Sequence, residues 1–475
     1  DKELNRLELQ VMKAINDEGS VVSIIGEAGI GKSRLVAELK KCELMKKVTF
    51  LEGRAISIGR NLSFHLVIDI LKQWARIREK DSEAVAFSKL QAAVRSLFPE
   101  EGEEVIPFVA VLMRMKLSGT YAERVKGIEG EALENLILKN IRELLIKATR
   151  LTPLVIVTED LHWADISSIM LMESLFRLAE THRILFINVF RPGHKETGDR
   201  ISQNIKEKIS VYYVEIELKP LDKRMSEALI TNMLDISGFH HAGIKEMIQR
   251  AGGNPFFMEE VVRSLIDEGA IIVKDGKFQV TERISRVVMP NSINDVLMVR
   301  IDRIEEKTQN LLKLAAVIGR RFFYRILSEV ASNVEDIDTK LSYLKEIEII
   351  RERERMGELE YLFKHALAQE VAYESIMPQK RKELHRKVAC SIEKVFAERL
   401  HEFYGMLAYH YGRAKEFEKT EEYLIKAGEE ALKSSASNEA LNFYQDALDL
   451  YLQKQDTAVD PEKVAMIEKN IALAY

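Results

Sequence analysis

Short apolar runs alternate with stretches of helical spacing through the first half of the chain. Val21 to Ile25, Val48 to Leu51, Leu154 to Val157, Ile184 to Val189 and Val211 to Ile216 read as strands. Each has the length of a buried strand and falls far short of the ~18 apolar residues of a membrane span. Strands alternating with helices imply a parallel sheet covered by helices on both faces. A long helical insertion separates the second and third strands. Its apolar stripes are Leu66, Val67, Ile70, Leu71 and Trp74, then Leu133, Leu136, Ile137, Ile141, Leu144 and Leu145. Trp74 falls inside a core-facing stripe and reads as a packing residue.

After Lys219-Pro220 the spacing becomes helical over Met225 to Leu234 and Ile244 to Ala251, then breaks at Gly252-Gly253-Asn254-Pro255, which opens a helix from Phe256 to Glu268. Ala270 to Val273 and Lys277 to Val280 flank Lys274-Asp275-Gly276 and read as a hairpin. From Asn291, helical runs at Ile293 to Ile304, Thr308 to Ile318, Tyr324 to Ala331 and Ile337 to Leu344 precede two strand-like runs. These are Ile347 to Glu352 and Leu359 to Phe363, with Met356-Gly357 at the turn, a winged-helix pattern.

From Arg381 onward the pattern is helical. Within Leu424 to Ala447, the residues Leu424, Ala427, Gly428, Ala440, Tyr444 and Ala447 fall near the small and aromatic offsets of a tetratricopeptide repeat. His401 to Ala414 and Glu418 to Ala427 supply similar helices, and since one such unit cannot close its own core, further repeats are expected beyond Tyr475. Four regions follow: an α/β domain over 1–217, a helical lid over 218–288, a winged-helix domain over 289–378 and an α-helical, tetratricopeptide-like region over 379–475.

A length of 475 residues and 46% hydrophobic content accommodate several ordinary cores. The net charge of −5 offers no global attraction to nucleic acid or to an anionic membrane. The basic run Lys380-Arg381-Lys382 with Arg386-Lys387 is broken by Glu383 and has no interleaved aromatics, so it reads as a solvated helix face. Cys42 and Cys390 form neither a disulfide framework nor a zinc set, and His240-His241 have no ligand partner at convincing spacing. A reducing, cytoplasmic setting is expected. The start at Asp1 without Met and the stop inside an amphipathic pattern point to a segment of a longer polypeptide.

Chemistry concentrates in Gly26-Glu27-Ala28-Gly29-Ile30-Gly31-Lys32-Ser33, between an apolar strand and the helical Arg34-Leu35-Val36-Ala37-Glu38-Leu39. This is the G-x-x-x-x-G-K-[ST] phosphate loop. Glycines let the backbone wrap a polyphosphate, the helix N-terminus faces the anion, Lys32 reaches the β/γ-phosphates and Ser33 ligates magnesium. ATP or ADP with Mg2+ is the expected ligand. The second signal is Leu154-Val155-Ile156-Val157-Thr158-Glu159-Asp160, a strand next to the phosphate loop that ends in two acids. Glu159 takes the metal-side position and Asp160 the catalytic one that deprotonates water.

The strings GEAGIGKSRL, LVIVTEDLHWAD, VFRPG, GGNPFFMEEVVRSL and YLFKHALAQEVAYESI, taken in this order, resemble the STAND class of signalling P-loop ATPases. More narrowly they resemble the module fused to bacterial class III adenylate/guanylate cyclases and to some protein kinases and transcription regulators. The resemblance implies that Arg191 is a sensor arginine toward the γ-phosphate. It also implies that Pro255, in Gly253-Asn254-Pro255, packs on the adenine. His365 would touch the β-phosphate in a closed resting form. In two respects the chain departs from that pattern: Glu159 precedes Asp160 where many relatives carry two aspartates or Asp then Glu, and the family's Gly-Arg pair ahead of Asp1-Lys2-Glu3-Leu4 is absent.

Three functions fit. One is an ATP-driven switch with slow hydrolysis, which binds a protein partner through its helical repeats, controls a fused effector and forms a nucleotide-dependent oligomer. A nucleotide-stabilised scaffold and a DNA-binding regulator are the others.

Overall fold

The computed structural model describes residues 2–56, 62–78, 80–234, 250–274, 277–281, 283, 292–355, 358–452 and 461–474. The apolar runs of the first half form one parallel sheet: β1 (Ser20–Ile25), β2 (Thr49–Arg54), β3 (Leu154–Glu159), β4 (Ile184–Phe190) and β5 (Tyr213–Glu217). Their lateral order is β2-β3-β4-β1-β5. Every residue of β3 and β4 is buried, as expected of strands covered on both faces. Alternate residues divide the core. Val22, Ile24, Val155, Val157, Leu185 and Ile187 pack with the helices Lys2–Ile15 and Lys32–Lys41, while Leu51, Leu154, Ile156, Phe186 and Phe190 pack with the insertion on the other side.

The lateral order corrects one expectation. β3 is not the neighbour of β1, because β4 pairs with both. An apolar run reports burial but not which strand lies beside it. Val211 is a second correction: it lies in the 3-10 turn Ser210–Tyr212 and is 89% exposed, so the fifth strand starts at Tyr213.

The insertion folds as helices His65–Trp74, Glu83–Leu97, Gly102–Leu112, Thr120–Val125 and Gly130–Leu151, with Trp74 half-buried against the core. The next region contains helices Lys223–Leu234 and Pro255–Asp267 and the antiparallel hairpin β6 (Ile271–Lys274) and β7 (Lys277–Val280). Ile230, Leu234, Met258, Val261 and Leu265 give it a core of its own. The helix expected from Ile244 falls mainly outside the described residues. His240-His241, Asp275-Gly276, Met289-Pro290 and Met356-Gly357 lie outside them as well.

Helices Ile293–Asp302, Glu306–Ile318, Tyr324–Val330 and Ile337–Glu346 are followed by the helix Ala366–Glu374. A sheet of β8 (Arg321–Phe323), β9 (Ile350–Arg355) and β10 (Glu358–Phe363), in the antiparallel order β8-β10-β9, packs with them. Sequence periodicity misses β8 because three residues cannot establish an alternation. Helices Pro378–Val395, Tyr404–Ala414, Phe417–Lys433, Ser437–Leu452 and Pro461–Ala474 then stack, each against the next. Gly428 is needed there, since a Cβ would lie 2.6 Å from the buried ring of Tyr444. Lys380 pairs with Glu383 at 2.9 Å and Arg386 with Glu416 at 3.2 Å, as on a solvated face. Among the described residues no helix is long and apolar enough to cross a membrane.

The last helices are tied to the sheet domain by a buried polar contact. Glu439 accepts the Ser167 backbone N–H at 2.9 Å, while Asp165 caps the same helix, Ile166–Leu175, through Ser168 N–H at 2.8 Å. Burial, together with the nearby Asp165 charge, pushes the Glu439 carboxyl up to about 7. A carboxyl raised on folding contributes stability that is complete below its ordinary value of 4.5 and is lost as pH rises through about 7. Melting temperature should therefore fall between about pH 4.5 and pH 7 and level off above that. Glu439→Gln, which keeps hydrogen-bonding groups toward Ser167, should flatten that dependence, as read by thermal denaturation across the range.

Candidate active site

The phosphate loop leaves β1 at Gly26 and enters the helix at Lys32. Gly29 has φ +77° and Gly31 φ +109°, both in the left-handed region that favours glycine. Around Gly31 a Cβ would meet nothing within 4 Å, so open space lies beside the loop there. At Gly29 the opposite holds: a Cβ would lie 2.9 Å from both Asn254 Oδ1 and Phe256 Cβ. The loop is therefore gripped from behind. Asn254 Nδ2 donates to the Ala28 carbonyl at 2.9 Å, and the Phe256 N–H donates to the Gly29 carbonyl at 3.3 Å. Asn254 Oδ1 also caps the helix Pro255–Asp267, accepting from Phe256 and Phe257 N–H, with Pro255 as its first residue.

Lys32 is buried, and its ammonium donates to the carbonyls of Gly26 at 2.7 Å and Glu27 at 2.9 Å. Burial first and Arg191 second lower it to about 8, while Asp160 and Glu27 oppose them. Ser33 lies exposed at the second helical position, Ile30 is buried and Ala28 half-buried. Arg34 stands on the outer flank, paired with Glu38 at 2.6 Å, away from the rest of the set.

The two acids part company at the end of β3. Glu159 remains in the strand, buried and ion-paired with Arg54, its register partner on β2. Arg54 also reaches Glu52 at 3.5 Å. Asp160 turns left-handed at φ +55°, a conformation Asp tolerates, and its carboxylate leaves the strand's alternation. It pairs with Arg320, from the loop just before β8. Burial alone would raise the Asp160 carboxyl, but Arg320, Arg54, His162 and Arg191 outweigh it and hold it below the usual carboxylate range. Arg191, one residue past β4, pairs with Glu370 at 3.5 Å. Arg54, Asp160, Arg191, Arg320, Glu370 and Tyr373 line a common cavity of about 380 Å³.

His365 sits immediately before the helix Ala366–Glu374, without a capping bond from its side chain, and its ring stacks on Phe256, centroids 3.5 Å apart. Burial first, then Lys364, Arg320 and other cations, lower it to about 2, so the imidazole is neutral at ordinary pH. Its buried Nε2 has no hydrogen-bond partner among the described residues. The structure thus gathers Gly26 to Ser33, Asp160, Arg191, Pro255 and His365 around one loop. It also adds Asn254, Phe256, Arg54, Arg320 and Glu370. Of these Asn254, Phe256 and Glu370 sit in strings already quoted, without a role assigned to them there; Arg54 and Arg320 are ordinary strand and loop residues until the fold brings them together.

The fit to a nucleotide follows from these groups. An open glycine loop with one ammonium at its rim suits a polyphosphate, and Ser33 presents a hydroxyl beside it. Among the described residues no group of three or more His, Cys, Asp or Glu could hold a metal ion without other ligands. Magnesium here would depend on phosphate oxygens, with Ser33 and an acid of the β3 tip as the protein's share.

Residues 1–187 match the AAA ATPase domain model. This agrees with the parallel sheet and phosphate loop above: the front of the chain is an α/β P-loop domain that matches this model, followed by many helices. Residues 222–279 match a domain family of unknown function. An uncharacterized protein of Rhizobium meliloti (strain 1021) is 25% identical over 96% of this chain, which spans 43% of that protein's length. Among solved structures, a STAND protein with a tetratricopeptide repeat sensor from Pyrococcus horikoshii aligns over 98% of this chain and 73% of its own, at 14% identity and a TM-score of 0.46. Drosophila ORC bound to DNA aligns over 79% of this chain and 86% of its own, at 10% identity and a TM-score of 0.32.

Asn254→Asp should separate the two duties of that side chain. The carboxylate still caps the helix but no longer donates to Ala28, and it sets a negative charge behind a phosphate loop. We expect a small change in melting temperature and a loss of ATP affinity of about 1 to 2 kcal/mol by calorimetry.

Proposed function

We propose that this segment is an ATP-dependent signalling switch with slow Mg-dependent hydrolysis, regulating an effector such as an adenylate or guanylate cyclase fused to it. The observation that carries this reading is the grip on the phosphate loop: Gly29 touches Phe256, and Phe256 carries His365. A loop that feels its ligand is thereby in contact with two further regions of the chain. The AAA ATPase domain match supports the nucleotide. In the proposed scheme residues 1–217 form the ATPase domain, 218–288 the lid, 289–378 a winged-helix domain and 379–475 a tetratricopeptide-like surface for a protein partner. Cytoplasmic residence and a nucleotide-dependent oligomer complete the proposal.

Loop N–H groups and Lys32 hold the β/γ-phosphates, and Arg191 neutralises charge growing on the γ-phosphate. Asp160 orients the attacking water and accepts its proton. Magnesium, held by Ser33 and the phosphates, would screen the oxygens; Glu159 would join its shell only by giving up Arg54. Pro255 flanks the adenine. The neutral His365 has Nε2 free to bond a β-phosphate, which would tie the winged helix to a bound diphosphate.

Lys32→Ala should abolish triphosphate binding by calorimetry, since it removes the loop's ammonium. Asp160→Asn should retain Mg-ATP and lose multiple turnover in a phosphate-release assay. Should Glu159→Gln give that result instead, the two acids exchange roles. Wild-type protein that binds Mg-ATP yet releases no phosphate would establish the scaffold reading. Salt-dependent binding to duplex DNA would favour a transcription regulator. His365→Ala should weaken ADP more than ATP, by ~1 to 3 kcal/mol, the usual scale of coupling between sites. Equal loss for both nucleotides would remove its switching role.

A further inference from the structure

Two of the charged groups assigned to phosphate chemistry, Asp160 and Arg191, are paired with the same neighbouring unit. Asp160 and Arg191 belong to the parallel-sheet domain, whereas Arg320 and Glu370 belong to the helix–sheet unit that runs from Ile293 to Glu374. The signs cross over, with a cation from the unit on the acid and an anion from the unit on the arginine. A third pair, Arg353 on β9 with Glu52 on β2 at 3.8 Å, extends the same contact along the sheet edge.

We propose that Arg320 and Glu370 are positioning residues that hold Asp160 and Arg191 out of service, a charge clasp that keeps the ATPase idle while the helix–sheet unit is docked. This rests on the reading of Asp160 and Arg191 as hydrolytic residues. The physical case is steric and electrostatic together. The Asp160 side chain is 13% exposed and that of Arg320 20%, so little water competes for the pair. A carboxylate whose lone pairs face a guanidinium is a poor acceptor for the proton of an attacking water. Arg191, turned to Glu370 at 3.5 Å, has its charge partly cancelled where a γ-phosphate would need it.

Release would act on both pairs at once. Gly319 precedes Arg320 with φ +143°, a backbone setting that favours glycine, and the loop joins helix Glu306–Ile318 to the short strand β8. Undocking the unit frees both catalytic side chains in one movement, because both partners travel with it. Arg54 remains behind with Glu159, within its own sheet, so the strand tip keeps its shape when the clasp opens.

The test uses the whole chain and four proteins: wild type, Arg320→Gln, Glu370→Gln and Arg320→Lys. Two readouts are taken, multiple-turnover phosphate release from Mg-ATP and amide hydrogen exchange over Gly319 to Phe323. Both Gln variants should raise turnover about fivefold or more, the lower end of coupling between sites, and should speed exchange in that segment. Arg320→Lys, which keeps the charge, should stay near wild type in both. Melting curves identify any variant that fails to fold, and the other Gln variant then decides. Turnover that falls or stays level in folded Gln variants, with exchange unchanged, overturns the clasp. If all four proteins bind ATP and none turns over, the hydrolytic reading fails by itself. Faster exchange in the Gln variants would then uphold the clasp as a docking contact, and unchanged exchange would reject it.

Discussion

Phe256 is the residue on which the arrangement of three regions depends. Its Cβ lies where a side chain at Gly29 would have to go, its N–H bonds the Gly29 carbonyl, and its ring carries His365. Close packing leaves no slack in such a stack, so a shift of the phosphate loop by a fraction of an ångström displaces a neighbour rather than being absorbed. The helix it begins is capped by Asn254, which also bonds the loop. The Asn254 cap, the helix Pro255–Asp267 and the loop backbone therefore form one mechanical unit.

Around that stack the charges are distributed unevenly in kind. Lys32 is satisfied locally by two carbonyls of its own loop, and Glu159 locally by Arg54 on the adjoining strand. Asp160 and Arg191, in contrast, draw their partners from a region more than 150 residues away in sequence. Local pairs survive a rearrangement of domains; distant ones are broken by it. Which groups are locally and which remotely neutralised thus separates permanent scaffold from the part of the site that domain movement can change.

At the opposite end, Glu439 and Asp165 share the start of one helix, with two buried carboxyls at short range. Such crowding is tolerable because that helix N-terminus offers N–H groups to both. It links the last helices to the segment immediately after Asp160. The last helices and the end of β3 are consequently neighbours in space, although the chain between them runs through the helices and hairpin of residues 223–280 and the helix–sheet unit.

Local pattern was enough to locate most strands and helices, the Gly26 to Ser33 loop and the paired acids at the end of β3, since each is written in spacing or in residues close along the chain. Lateral strand order was beyond it, because β4 enters between β1 and β3 without any mark in its own apolar run. Strand β8, three residues long, carried no readable period. The partners of Asp160, Arg191, Glu159 and Phe256 were decided only by the tertiary structure. An ion pair or ring stack depends on where two side chains meet, and residues such as Arg54, Arg320 and Glu370 look like any solvated charge until the fold seats them against their partners.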